Sequence, residues 1–209
     1  MSEVDKSVSL NIAILPDEAI RQRAIRFSQQ ISAAVPVGFI LNETNLFPHI
    51  TIYQAHFPVR NIPLLKEKLR EITLKTQPFE IRLEKLSISY ETFIFWSCIK
   101  TPHLQQLHNQ TVAIANPLRE GLVLPHLARV PAISPEDEKD KKKYGSLLIG
   151  PRFTPHLTLT RVTNPADAQK ALDIIQNPLA SFRPTAIVLA YLGDHGTVNG
   201  IISTYPLAA

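Results

Sequence analysis

One five-residue pattern occurs twice in this chain, and that repetition constrains the fold more than any other feature. Pro48-His49-Ile50-Thr51-Ile52 and Pro155-His156-Leu157-Thr158-Leu159 share the order Pro, His, apolar, Thr, apolar. In a strand, alternation puts His49 and Thr51 on one face with Ile50 and Ile52 behind, and treats His156, Thr158, Leu157 and Leu159 the same way. Each motif therefore requires a strand with a polar, reactive face and an apolar back.

The surroundings of the two motifs match. The first half reads as a buried strand Val8–Leu15, a helix from the Asp17 cap to Val35, the motif strand Ile50–Gln54 and a helix Ile62–Leu74. Strands Phe79–Ser89 and Thr92–Ile99 follow, joined by a Tyr90-Glu91 hairpin turn, and then a helix Pro102–Asn116. The second half reads as strand His156–Arg161, a helix from Asn164 to Gln176, and strands Thr185–Leu192 and Ile201–Tyr205 around the turn Gly193–Gly196. Each half thus repeats strand, helix, short strand, helix, strand. The expected class is α+β: one two-lobed domain over residues 1–209, with pseudo-twofold halves, antiparallel sheets lining a central groove and helices outside. Residues 119–153 break the pattern and read as a long loop insertion with little periodicity.

Composition narrows the chemistry. With a single Cys, Cys98, there is no disulfide scaffold and no Cys-based zinc or iron–sulfur site. Seven Gly leave little material for a glycine-rich phosphate loop. Lys and Arg number 22 against 18 Asp and Glu, a surplus of +4 that suits an anionic substrate but not duplex DNA. No uncharged apolar run reaches the roughly 18 residues of a membrane span, and Met1–Lys6 is acidic rather than secretory in character. A cytoplasmic monomer acting without membrane contact is the expectation.

A single His-x-Thr is unsurprising in a chain with seven His. A second, with Pro before it, apolar flanks and the same rank in a matching half, is not. Metal binding is the other use of paired His, but the His-x-Asp/Glu of a facial triad is absent and Thr is a poor ligand, so no metal and no cofactor are expected. Two imidazoles titrating near neutrality can instead share base and acid duty in opening a cyclic phosphodiester, with Thr51 and Thr158 donating to the non-bridging oxygens. Either His can take either role.

The paired motifs resemble the two-histidine (2H) phosphoesterase superfamily, which includes bacterial 2'–5' RNA ligase-like proteins and cyclic phosphodiesterases of RNA metabolism. The resemblance implies the two-lobed groove fold and metal-free hydrolysis of a 2',3'-cyclic phosphate on a nucleotide or RNA end, usually to a 2'-phosphate. It makes His49, Thr51, His156 and Thr158 the catalytic set. A 2'–5' RNA phosphodiesterase or ligase is the neighbouring alternative, and a noncatalytic binder of RNA ends or nucleotides is the alternative from another class. Further candidates for substrate binding are Tyr53, on the His49 face by alternation, and Arg161, which resembles an Arg often following the second motif although strict alternation turns it away from His156. Tyr144 joins them from the run Lys141-Lys142-Lys143-Tyr144, which can form a lid over an anionic chain but reads better as a solvated, mobile charge run. His56 is placed at the groove rim, while His103, His108, His126 and His195 read as surface or structural.

Overall fold

The computed structural model describes residues 6–208, so the reading of the acidic start at Met1–Asp5 lies outside the described residues. The chain forms strands β1 (Ser7–Ile14), β2 (Ile50–Pro58), β3 (Ile81–Ser89), β4 (Phe93–Cys98), β5 (His156–Arg161), β6 (Ala180–Phe182), β7 (Ala186–Leu192) and β8 (Val198–Pro206). The helices are α1 (Glu18–Ala34), α2 (Ile62–Thr73), α3 (Pro102–Ala115), α4 (Pro125–Ala128), α5 (Pro135–Tyr144) and α6 (Ala168–Asp173). All eight strands lie antiparallel to their neighbours in one sheet of order β6-β3-β4-β5-β2-β1-β7-β8.

The two motif strands sit side by side at the middle of that sheet. They join through a single register pair, Ile50 with Leu157. The joint divides the sheet into two four-stranded lobes, and each lobe draws two strands from either half of the sequence. Helices α1 and α6 pack on the β3–β6 lobe, α2 and α3 on the other. The duplicated halves are thus interleaved in space, and this brings the two motifs together.

Local chemistry explains the elements. Asp17 caps α1 by accepting from the Ile20 N–H at 2.9 Å. Ala24, Phe27 and Ile31 of α1 belong to the same main core as Leu10, Ile12 and Ile14 of β1, and the Phe27 ring lies 5.1 Å from that of the fully buried Trp96. The hairpin loop Tyr90–Thr92, between the paired Ser89 and Phe93, places Tyr90 and Glu91 at positive φ (46° and 62°), and the Thr92 N–H donates to the Tyr90 carbonyl at 2.8 Å. The segment β6 is three residues long at a sheet edge, too short to carry a pattern. β2 runs on to Pro58 because its alternation continues through Ala55 and Phe57 into the core.

Residues 119–153 are not a featureless loop, and the Lys run is not a free charged strand. Helix α5 holds it. Ser134 accepts from the Asp137 N–H, Glu136, Asp137 and Glu138 fill the positive first turn, and Lys141, Lys142 and Lys143 fill the negative last turn. Arg152 clamps the helix through Asp140 at 2.9 Å and Asp137 at 2.5 Å. From below, the buried Arg119 guanidinium donates to the carbonyls of Lys142 and Lys143. Gly145 ends the helix at φ 67°, where an added Cβ would lie 2.5 Å from the Leu122 carbonyl oxygen. Gly145→Ala is therefore expected to cost about 2 kcal/mol or more, from the left-handed backbone plus the clash, read as a lower urea midpoint at unchanged slope.

Candidate active site

The Ile50–Leu157 pair faces the core, so the flanking His49/Thr51 and His156/Thr158 face the other way, into one cleft of about 630 Å³. Both imidazoles are held alike. His49 Nδ1 lies 2.8 Å from the Phe47 carbonyl oxygen and His156 Nδ1 lies 2.7 Å from that of Thr154. A carbonyl only accepts, so Nδ1 carries the proton and Nε2 keeps a lone pair for chemistry. The Pro of each motif, Pro48 or Pro155, sits between carbonyl and ring and fixes the extended approach that brings the two together.

Burial favours the neutral form of both rings. It pulls His156 down to about 4, with the nearby His49 adding to the effect and the Thr154 carbonyl opposing it. It lowers His49 too, against the carbonyls of Phe47 and Gly196. The second supports differ. The His156 ring stacks on Phe95 with centroids 3.7 Å apart. Near His49 the buried Asn11 amide lies 3.4 Å from Nε2 and donates to Thr51 Oγ1 at 2.9 Å. Asn11 lay outside the sequence reasoning, since β1 carries no motif.

A β-bulge follows each motif Thr and changes which side chains reach the cleft. In β2, Thr51 pairs with Ala13 and Tyr53 with Ile12, leaving Ile52 as the extra residue. In β5, Thr158 pairs with Phe95 and Thr160 with Ile94, leaving Leu159 as the extra. Alternation therefore fails one residue past each Thr. Tyr53, expected on the His49 face, borders the cleft but pairs with Ile12 and is buried at 1% exposure, and its hydroxyl donates to the Tyr144 carbonyl at 2.7 Å. Gln54 takes its place on the cleft face. Arg161, expected to turn away from His156, shares the face of its strand partner Phe93 but stands outside the residues that line the cleft. Its guanidinium lies 5.6 Å over that ring and 3.4 Å from His195 Nδ1.

The remaining candidates separate cleanly. Tyr144 packs against the core and its ring meets the Lys143 ammonium, away from the residues lining the cleft. Lys141 lines the cleft, with its ammonium on the Val130 carbonyl. His56 bonds Ser9 and Ser7 at the far end of β2. His195, read as background, lines the cleft in the Gly193–Gly196 turn. His108 is structural in a specific sense: its Nδ1–H donates to the carbonyl of the bulged Ile52 at 2.7 Å and its Nε2 accepts the Gly150 N–H at 2.9 Å. Among the described residues, no helix is long and apolar enough to cross a membrane.

Residues 42–196, which contain both motifs, match the model of the 2'-5' RNA ligase superfamily. The chain belongs to this superfamily of two-histidine phosphoesterases. No curated protein matches it in sequence. Solved structures share its fold at low identity. TT0787 of Thermus thermophilus is 15% identical, with a TM-score of 0.61 over 96% of this chain and 98% of that one. Escherichia coli LigT complexed with phosphate is 17% identical, with a TM-score of 0.59 over 98% and 100%. LigT complexed with 3'-AMP is 16% identical, with a TM-score of 0.60 over the same shares.

The lowered His pKa values set the pH dependence of stability for this superfamily member. An unfolded His binds its proton near 6.5, and folded His156 only near 4, so the unfolded chain holds more protons between those values. The contribution of His156 to stability is full above about 6.5, is lost progressively as pH falls from there through about 4, and is gone below. Urea midpoints measured from pH 7 to pH 4 are expected to fall, and His156→Gln to flatten the fall.

Proposed function

We propose that this chain hydrolyses 2',3'-cyclic phosphates of nucleotides or RNA ends, leaving a 2'-phosphate, with His49 and His156 as the proton-transfer pair. The observation that carries the reading is the pair of Nε2 lone pairs, each fixed through Nδ1 to a carbonyl, on adjacent strands of one cleft. One imidazole takes a proton from water as its oxygen attacks phosphorus. The other, protonated, gives its proton to the 3' oxygen as the P–O3' bond breaks. Thr51 and Thr158 donate to the non-bridging oxygens where charge accumulates, and Arg161 adds a fixed cation at the cleft edge. LigT, which shares the fold, was crystallised with phosphate and with 3'-AMP, which supports a phosphate-bearing nucleotide as ligand.

Burial keeps both rings neutral in the free protein, so the acid must gain its proton with the substrate. An arriving phosphate monoanion supplies the opposite charge that raises an imidazole pKa. The alkaline limb of the kcat profile is therefore expected at higher pH than that of kcat/KM.

The decisive assay is 2',3'-cyclic AMP with EDTA present, followed by identification of the product. His49→Ala and His156→Ala are each expected to lower kcat/KM by about 10²–10⁴-fold, while EDTA leaves the wild-type rate unchanged. Turnover that survives in both single variants would sink the proposal. A second reading, action on a 2'–5' linkage, draws on the aromatic row Tyr90, Phe93 and Phe95 along the cleft wall, where a second base can stack. A dinucleotide with that linkage turned over faster than the cyclic mononucleotide would favour it.

A further inference from the structure

Asn11 is fully buried on β1, yet it belongs to the polar face of the cleft rather than to the core. Its Nδ2 group does two things at once, donating to Thr51 Oγ1 at 2.9 Å and lying 3.4 Å from His49 Nε2. The direction of both contacts follows from chemistry. His49 gives its only proton, on Nδ1, to the Phe47 carbonyl, so its Nε2 can only accept. The amide must therefore present N–H rather than oxygen. Thr51 Oγ1 then accepts from Asn11, and its own hydroxyl proton is left to point elsewhere, into the cleft. Asn11 Oδ1 is the leftover: it is buried and has no hydrogen-bond partner among the described residues.

We infer that Asn11 is a positioning residue that makes Thr51 a hydrogen-bond donor to the substrate and ties that donor state to the neutral form of His49. The two contacts share one rigid amide, so they change together. A proton on His49 Nε2 would meet the amide N–H head on. The Gly196 carbonyl offers that ring a second acceptor, but the repulsion from the amide is relieved only when the amide turns and offers its unpartnered Oδ1, which then draws the Thr51 hydroxyl proton as well. A neutral His49 and a free Thr51 proton are thus one state of the site; a protonated His49 and an occupied Thr51 are the other. The titratable groups that share the cleft with His49 are His156 on β5, Asp194 and His195 in the Gly193–Gly196 turn, His108 on α3, His126 on α4, Asp137 and Lys141 on α5, Tyr53 on β2 and Tyr90 at the hairpin. None of them contacts Thr51 in a way that would replace Asn11.

The catalytic consequence rests on the two-histidine reading above, but the coupling can be measured without turnover. In wild-type protein, side-chain amide signals of Asn11 followed by NMR across a pH titration are expected to move with the midpoint of the His49 ring nitrogens. Asn11→Asp, whose carboxylate can only accept, is expected to move the His49 midpoint upward by about a unit or more, as an adjacent carboxylate does. In the hydrolysis assay, Asn11→Ala is expected to lower kcat about tenfold with KM little changed. That loss should vanish in a Thr51→Val background, because the two residues act through one hydrogen bond. Asn11 amide signals that stay flat while His49 titrates would overturn the inference, as would an Asn11→Ala loss that persists in full beside Thr51→Val. The wild-type titration needs no variant to fold. It also separates the failure modes: absence of cyclic phosphate turnover would remove the proposed function while leaving the Asn11 coupling decided on its own terms.

Discussion

The centre of this protein depends on one backbone pairing, that of Ile50 with Leu157. Everything chemical hangs from it. The pair sends two apolar side chains into the core, and the residues on either side of it turn their imidazoles and hydroxyls the opposite way. Because β2 and β5 run antiparallel, the two motifs meet with approximate twofold symmetry, one His at each end of the joint. Strands further out, β1 and β7 on one side and β4 and β3 on the other, widen the platform but do not set that geometry.

The two bulges give the platform its detail. Each inserts one residue directly after a motif Thr, so that the fixed set His-x-Thr is followed by a reversal of the faces. A bulge leaves backbone groups without ladder partners, and for Ile52 the fold supplies one: His108 donates to its carbonyl. Only a neutral imidazole can serve there, since the same ring must also accept the Gly150 N–H. Helix α3 behind the sheet, the bulge in it and the short helical turn Gly150–Arg152 are thus fastened at one side chain. The charged helix α5 is tied in from three sides, by Arg152, by Arg119 and by the Tyr53 hydroxyl.

How far the sequence reached follows from what kind of signal each feature leaves. The motif strands, the long helices and the polar face of His49, Thr51, His156 and Thr158 were legible because periodicity within one segment encodes them. Alternation alone cannot place Tyr53 and Arg161 for a physical reason: a bulge is an event between two strands, and neither strand alone records it. Asn11 was invisible for the same reason, since its importance comes from the neighbour across the ladder. Helix α5 was missed differently. It has no apolar stripe, so periodicity is silent, yet Ser134, the acidic first turn, the Lys-rich last turn and Gly145 spell out its ends. That Tyr53 is buried while Gln54 is not could be learned only from register.

The equivalence of Gln54 and Arg161 has a consequence for how such a cleft can diversify. Both occupy the position three residues beyond a motif Thr, one on each side of the joint, and both arrive there by backbone geometry rather than by any demand on their own side chains. Their neighbours are constrained: the motif residues by proton transfer, Tyr53 and Thr160 by the core. Positions 54 and 161 are free of both constraints. Exchanging the amide at 54 alters the lining of the cleft and leaves the proton-transfer pair in place, whereas exchanging the guanidinium at 161 also removes a cation. Recognition and reactivity are thus separable at one of these positions and joined at the other.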